Sequence, residues 1–195
     1  MKKIFIGIIL FSSMTISAQS RWGIRTGLNY DLNTIGLSDA AGSTQAILEG
    51  ETADNGYHIG VFGRQFLGDQ LYTSGSLIFA KNTHFLEGYD ASGNIVFGQF
   101  NHEFIQLDAD LGIRLLKLVR AEAGVHYQGM LSDNAFNQTF ESPSVGYNVG
   151  VGIDLWKLSL DVTYYSSFQD HIGDWNNIPL SYNRSQLLIS LGVKL

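Results

Sequence analysis

From Ile105 to Leu115 the chain alternates without a break. Ile105, Leu107, Ala109, Leu111, Ile113 and Leu115 are apolar, while Gln106, Asp108, Asp110, Gly112 and Arg114 are polar, charged or glycine. A strand sends successive side chains to opposite faces. The stretch therefore predicts a strand, extendable back to Glu103, with one oily and one ionic face. A solvated sheet also alternates, so this segment alone leaves its surroundings open.

The same pattern recurs along the chain. Trp22–Leu32 sets Trp22, Ile24, Thr26, Leu28, Tyr30 and Leu32 against Gly23, Arg25, Gly27, Asn29 and Asp31. Tyr57–Phe66 is weaker, because Phe62 falls on the polar side with His58, Gly60 and Arg64. Leu71–Lys81 gives the least clean faces, with Tyr72, Ile78 and Ala80 among the serines. Val119–Leu131, Ser144–Leu155, Leu158–Phe168 and Asn183–Leu195 complete a set of eight predicted strands. Thr34–Gly56, Asn82–Asn101, Ser132–Pro143 and Gln169–Tyr182 read as long loops; the tip at Asp90–Asn94 suits flanking strands that run on as a hairpin. Short turns fall at Leu67–Gln70, Leu116–Leu118 and Trp156–Lys157.

Long and short connections thus alternate, and an even strand count puts both ends of the domain on one side. The expected fold is all-β: an eight-stranded antiparallel transmembrane up-and-down β-barrel with a plugged polar lumen. No segment after the first residues approaches the ~20 apolar residues of a membrane helix. Composition agrees with closed sheets: 22 Gly, 12% aromatic residues, two Pro and no Cys, so disulfides and acylation on cysteine are excluded. The net charge of −6 gives no reason to expect nucleic-acid binding.

Lys2 and Lys3, the apolar run Ile4–Phe11 and the small and polar residues to Ala18 predict a secretory signal over 1–18, leaving a barrel domain over 19–195. Eight apolar residues are too few to span hydrocarbon. Tyr30, Tyr57, Phe79, Tyr127, Tyr147 and Tyr164 all lie on the apolar face near the long-loop ends, as an interfacial girdle requires, with Trp22 at the opposite interface. The polar face carries Arg25, Arg64, Arg114, Arg120 and Lys194 with Asp108, Asp110, Glu122, Asp154 and Asp161. In a narrow lumen these charges are expected to pair, because an unpaired buried charge is costly.

Ser17-Ala18-Gln19, the opening Trp22-Gly23-Ile24-Arg25-Thr26-Gly27-Leu28-Asn29, Tyr57-His58-Ile59-Gly60-Val61-Phe62 and the final Leu187-Leu188-Ile189-Ser190-Leu191-Gly192-Val193-Lys194-Leu195 resemble the small outer-membrane β-barrel (PorT-like) proteins of Gram-negative bacteria. The resemblance covers the whole barrel domain. It implies a cell outer membrane location, contact with outer-membrane lipid and lipopolysaccharide, and insertion by the barrel-assembly machinery. Many outer-membrane barrels end in Phe or another aromatic, where this sequence has Leu195.

Chemistry is sparse. His84 and His102 flank one loop and are the nearest approach to a metal pair, though two solvated loop residues is the plainer reading. His126 faces Asp108 and Glu122 without a serine motif, which suits a structural histidine better than a hydrolase base. No phosphate-binding loop, dinucleotide fingerprint or metalloprotease motif occurs, so no cofactor, metal or catalytic residue is expected. The loops carry Asp39, Glu49, Glu51, Asp54, Glu87, Asp90, Asp133, Glu141, Asp170 and Asp174, for which a solvated rim is the plainer reading and divalent-cation binding or anion rejection the alternative, with Trp175 a candidate for partner or sugar contact. The expected function is non-enzymatic, structural or in surface interaction. The alternatives are a barrel enzyme acting on lipid or peptide, and a secreted soluble barrel with inverted faces that holds an apolar ligand.

Overall fold

The computed structural model describes residues 20–32, 35–37, 55–89, 95–115, 118–131, 143–168, 171–175, 178–182 and 184–195. Of these, 35–37, 55, 84–89, 95–102, 171–175 and 178–182 are described by their backbone alone. The predicted signal lies outside the described residues, as do most loop acids.

Eight strands close a barrel. They are β1 (Ser20–Asp31), β3 (Asn55–Phe66), β4 (Leu71–Tyr89), β5 (Ile95–Leu115), β6 (Val119–Met130), β7 (Ser144–Leu155), β8 (Leu158–Ser167) and β11 (Ser185–Lys194). The order around the barrel is β1-β11-β8-β7-β6-β5-β4-β3, and every pairing is antiparallel. Alternation sets which face each residue takes. In β7, Val145, Tyr147, Val149, Val151, Ile153 and Leu155 are exposed while the residues between them are buried. That outward run, at ~3.4 Å per residue and ~40° of tilt, makes a band about 26 Å tall, close to the hydrocarbon thickness such barrels cover.

One expectation about loops needs correction. Gln169–Tyr182 is not all loop: β9 (His171–Trp175) and β10 (Ile178–Tyr182) form a hairpin, and β10 also pairs with β2 (Ile35–Leu37), which lies in the expected loop Thr34–Gly56. Strands this short carry too few alternations for the pattern to show. The strands that flank Asp90–Asn94 run on as a hairpin, as expected. Pairing between β4 and β5 runs from Leu71↔Ile113 to Tyr89↔Ile95, so a two-stranded ribbon continues beyond the last barrel neighbours at Tyr57↔Lys81 and Phe104↔Met130.

The lumen is filled by side chains, and a spacing rule governs the fit. Large inward residues sit directly opposite inward glycines on the neighbouring strand: Phe62↔Gly23, His58↔Gly27, Tyr72↔Gly112, Arg120↔Gly152, His126↔Gly146 and Glu122↔Gly150. A Cβ built on Gly27 would lie 2.8 Å from His58 Cε1, and one on Gly152 would lie 2.6 Å from Arg120 Nη2. Each glycine thus leaves room for the side chain across from it, which an eight-stranded interior otherwise lacks.

Candidate functional site in the lumen and at its short-turn mouth

At the short-turn end, cations and carboxylates from six strands converge. Arg120, 1% exposed, pairs with Asp161, with Asp154 (Nε–Oδ1 3.1 Å) and with Glu122 (3.7 Å). Arg64 reaches across from β3 to Asp161 at 3.4 Å and Asp154 at 3.7 Å. Lys194 lies 3.3 Å from Asp154, and Arg21, at the start of β1, lies 4.0 Å away. Asp154 and Asp161 are placed by the β7–β8 register, in which Gly152 opposes Asp161 and Asp154 opposes Ser159 beside the Trp156–Lys157 turn.

The remaining members of the expected charge set are held in other ways. Asp108 accepts hydrogen bonds from Ser76 Oγ (2.5 Å), Gln106 Nε2 (2.8 Å) and Tyr165 Oη (3.1 Å). Asp110 accepts from Ser74 Oγ at 3.1 Å, and Glu122 accepts from Tyr72 Oη at 2.9 Å. Arg25 lies over the Phe62 ring at 5.5 Å, and Arg64 lies 4.5 Å from the same ring. Arg114 and Arg21 share Phe66 at 4.4 and 5.1 Å, and Arg114 also donates to Asp69 O at 2.9 Å. A guanidinium over an aromatic face is attracted by the ring's negative centre. So Arg25 and Arg114 rest on rings where pairing with carboxylates was expected. The sequence carried a signal for one of these rings, Phe62, which broke the polar face.

The lumen is not uniformly polar. Toward the long connections Ile78, Ala80, Phe104, Tyr165 and Leu188 form a buried apolar layer. Nearby, His58 Nε2 is 2.8 Å from Ser190 Oγ, and His58 Nδ1 is 2.5 Å from Asn29 Oδ1. Since the amide oxygen only accepts, Nδ1 carries the proton and Nε2 accepts from the serine. Asn29 Nδ2 in turn donates to Asn82 Oδ1 at 3.0 Å. Sequence spacing could not reveal this serine–histidine–asparagine relay, because its members come from β11, β3 and β1. Its order is that of an activated nucleophile, but Ser190 is 2% and His58 0% exposed, so a substrate has no route to the hydroxyl. His126 is likewise buried and packs edge-on to Tyr165 at 5.3 Å. Among the described residues no three His, Asp or Glu side chains converge as metal ligands. The backbone register sets His84 opposite Phe100 and His102 opposite Asn82, with the two histidine side chains outside the described residues.

Outside, all eight barrel strands present large apolar side chains, among them Ile24, Val61, Leu77, Leu111, Val125, Val151, Leu160 and Leu191. A ring of this extent encircles the molecule, unlike the local patch of a protein partner site. Leu111 and Val151 are 62% and 56% exposed while Asp110 and Asp154 are buried, which rules out the inverted, apolar-lumen arrangement. Of the expected girdle, Tyr57, Tyr127, Tyr147 and Trp22 are exposed and Tyr30, Phe79 and Tyr164 half-buried. Tyr147 contacts Tyr164 and Phe168 (5.8 Å), and the exposed Phe168 is an outward ring that strand-end counting missed.

No family model matches the sequence, and no curated protein matches it. Solved structures do. The outer membrane protein OprG of Pseudomonas aeruginosa is 14% identical with a TM-score of 0.55, over 90% of this chain and 96% of its own. Ail, the attachment invasion locus protein of Yersinia pestis, solved with the heparin analogue sucrose octasulfate, is 13% identical with a TM-score of 0.51, over 91% of this chain and 99% of its own. At these identities the likeness is one of fold: the chain has the closed, eight-stranded antiparallel architecture of small outer-membrane β-barrels.

Proposed function

We propose that this protein is a non-enzymatic outer-membrane barrel that works through its surface loops, its lumen serving as a closed, load-carrying core. The observation that carries the reading is the pair of opposed faces: an apolar ring around all eight strands, and a lumen packed with ion pairs, rings and glycine-seated side chains. The ring suits hydrocarbon, and the packed lumen suits neither conduction nor a transported solute. The leader over 1–18 directs export, the barrel-assembly machinery inserts the chain, and the PorT-like resemblance is the family reading we adopt. Short turns face the periplasm and long connections face outward, where they meet lipopolysaccharide and surface partners.

The loops point to the charge of that partner. Thr34–Gly56, Ser132–Pro143 and Gln169–Tyr182 contain acids and no Lys or Arg. Ail was solved with a polyanion; these loops would repel one, so we read the partner as cationic, a basic protein surface or bridging divalent cations.

Membrane fractionation tests the location: recovery in the soluble periplasm without detergent would sink the reading. Planar-bilayer recordings test the lumen, where large, steady conductance would show an open pore. Binding of a sucrose octasulfate column at low salt would refute the cationic-partner reading. Ser190→Ala should leave every phenotype of the strain intact; disappearance of a lipid or peptide cleavage product would restore the enzyme alternative.

A further inference from the structure

Positive charge at the short-turn mouth exceeds the carboxylates that meet it. Arg21, Arg64, Arg120 and Lys194 all approach Asp154, and among the described residues Asp161 and Glu122 are the other carboxylates that share those cations. Lys157 adds another positive group at the β7–β8 turn. In a chain with a net charge of −6 this surplus is local. Beside it lies a cavity of about 370 Å³, lined by Arg21, Asp154, Trp156, Lys157, Lys194 and Leu195. Lys194 is 6% exposed and lies 3.3 Å from Asp154 as an ion pair, but its Nζ makes no hydrogen bond, so the ammonium has donors left for a ligand.

The turn beside the cavity has an apolar side as well. Trp156 adopts a φ of 54°, a region that bulky residues seldom enter, and its indole is 90% exposed. Leu155, Leu158 and Leu195 are exposed next to it, at the foot of the apolar ring. An indole flanked by basic groups at the edge of an apolar band suits the headgroup level of a bilayer. We propose that this mouth binds the phosphate of an anionic phospholipid: Arg21, Lys157 and Lys194 take the phosphate oxygens, and Trp156 lies along the glycerol and upper acyl chain. The adjoining leucines favour a lipid over free phosphate, which has no use for apolar surface. The inference rests on the reading that the short-turn rim faces a phospholipid leaflet.

Native mass spectrometry of the folded protein, released from detergent with phosphatidylglycerol or phosphatidylcholine, tests it. The wild type should retain phosphatidylglycerol in preference to phosphatidylcholine. Arg21→Gln and Lys157→Gln should each weaken retention about fivefold, as expected for one basic residue near an anionic lipid surface. Lys81→Gln, at the opposite rim, should not. Unboiled gel mobility checks that the variants remain folded; if they do not, the two-lipid comparison on the wild type decides alone. Equal retention of both lipids, retention unaffected by either rim variant, or displacement of phosphatidylglycerol by millimolar inorganic phosphate would overturn the proposal. Failure to enter vesicles at all would instead refute the outer-membrane reading, whereas insertion without lipid preference refutes this site only.

Discussion

Replacing Asp154 by Asn removes a charge at nearly constant volume, so no cavity contributes to the outcome. The geometry sets what is lost. Asp154 is approached by Arg120 at 3.1 Å, Lys194 at 3.3 Å, Arg64 at 3.7 Å and Arg21 at 4.0 Å, and the side chains of the first three are at most 6% exposed. Removing one member of a buried ion cluster costs about 3–5 kcal/mol, because the partners stay buried without compensation. The lower end applies here: Asp161 and Glu122 still hold Arg120 and Arg64 partly neutralised, while Lys194 loses the carboxylate beside it. Glu103→Gln is the internal comparison. Its pair with Lys81 is shorter, at 2.8 Å, but the two side chains are 35% and 28% exposed. An exposed pair contributes only ~0.5 kcal/mol. Distance and burial therefore rank the two substitutions in opposite orders. Urea unfolding of the protein refolded in detergent micelles, followed by tryptophan fluorescence and unboiled gel mobility, separates them. Asp154→Asn should lower stability by ~3 kcal/mol, a midpoint shift of about 1.5 M at an m-value of ~2 kcal/mol per M. Glu103→Gln should lower it by less than ~1 kcal/mol. Equal, small effects would refute the reasoning, since the mouth charges would then be solvated and the lumen wet.

Three further outcomes follow from features of the barrel wall. Val151→Arg, midway along β7 on the apolar ring, should cost ~2–4 kcal/mol in a lipid bilayer, and folding yield into vesicles reads this directly. Gly152→Ala should cost about 1–3 kcal/mol because the new methyl meets Arg120 and Asp161, whereas Gly129→Ala, where the nearest atom is Tyr127 Cε1 at 3.7 Å, should be neutral in the same unfolding assay. Trp156→Gly should raise stability by ~1 kcal/mol by relieving a left-handed tryptophan, yet lower phosphatidylglycerol retention; a loss of both would show that the indole supports the fold.

Strand faces were legible because lipid and lumen impose opposite chemistries at a period of two, as in Ile105–Leu115 and Ser144–Leu155. The residues that blurred the pattern, Phe62, Phe66, Tyr72, Tyr165 and Leu188, are inward all the same. They carry the guanidinium platforms and the apolar layer that charge counting does not anticipate. Which cation meets which carboxylate was not legible. Arg64 and Asp161 lie on strands that do not pair, and their meeting depends on how the closed sheet is sheared. The serine–histidine–asparagine relay was hidden for the same reason. The hairpin of β9 and β10 escaped because five-residue strands offer little periodicity to read.

The inward glycines bear on how such a barrel closes correctly. Sliding one strand past its neighbour by two residues keeps every oily side chain on the oily face, so alternation cannot distinguish the native register from that slip. Size complementarity can. Shifted by two, His126 would face Ser144 or Asn148, and His58 would face Arg25 or Asn29, in place of the glycines that seat them. A slipped barrel would be overfilled at some rungs and hollow at others. The glycines therefore act as a tooth pattern between strands, selecting one shear among several that the membrane itself would accept.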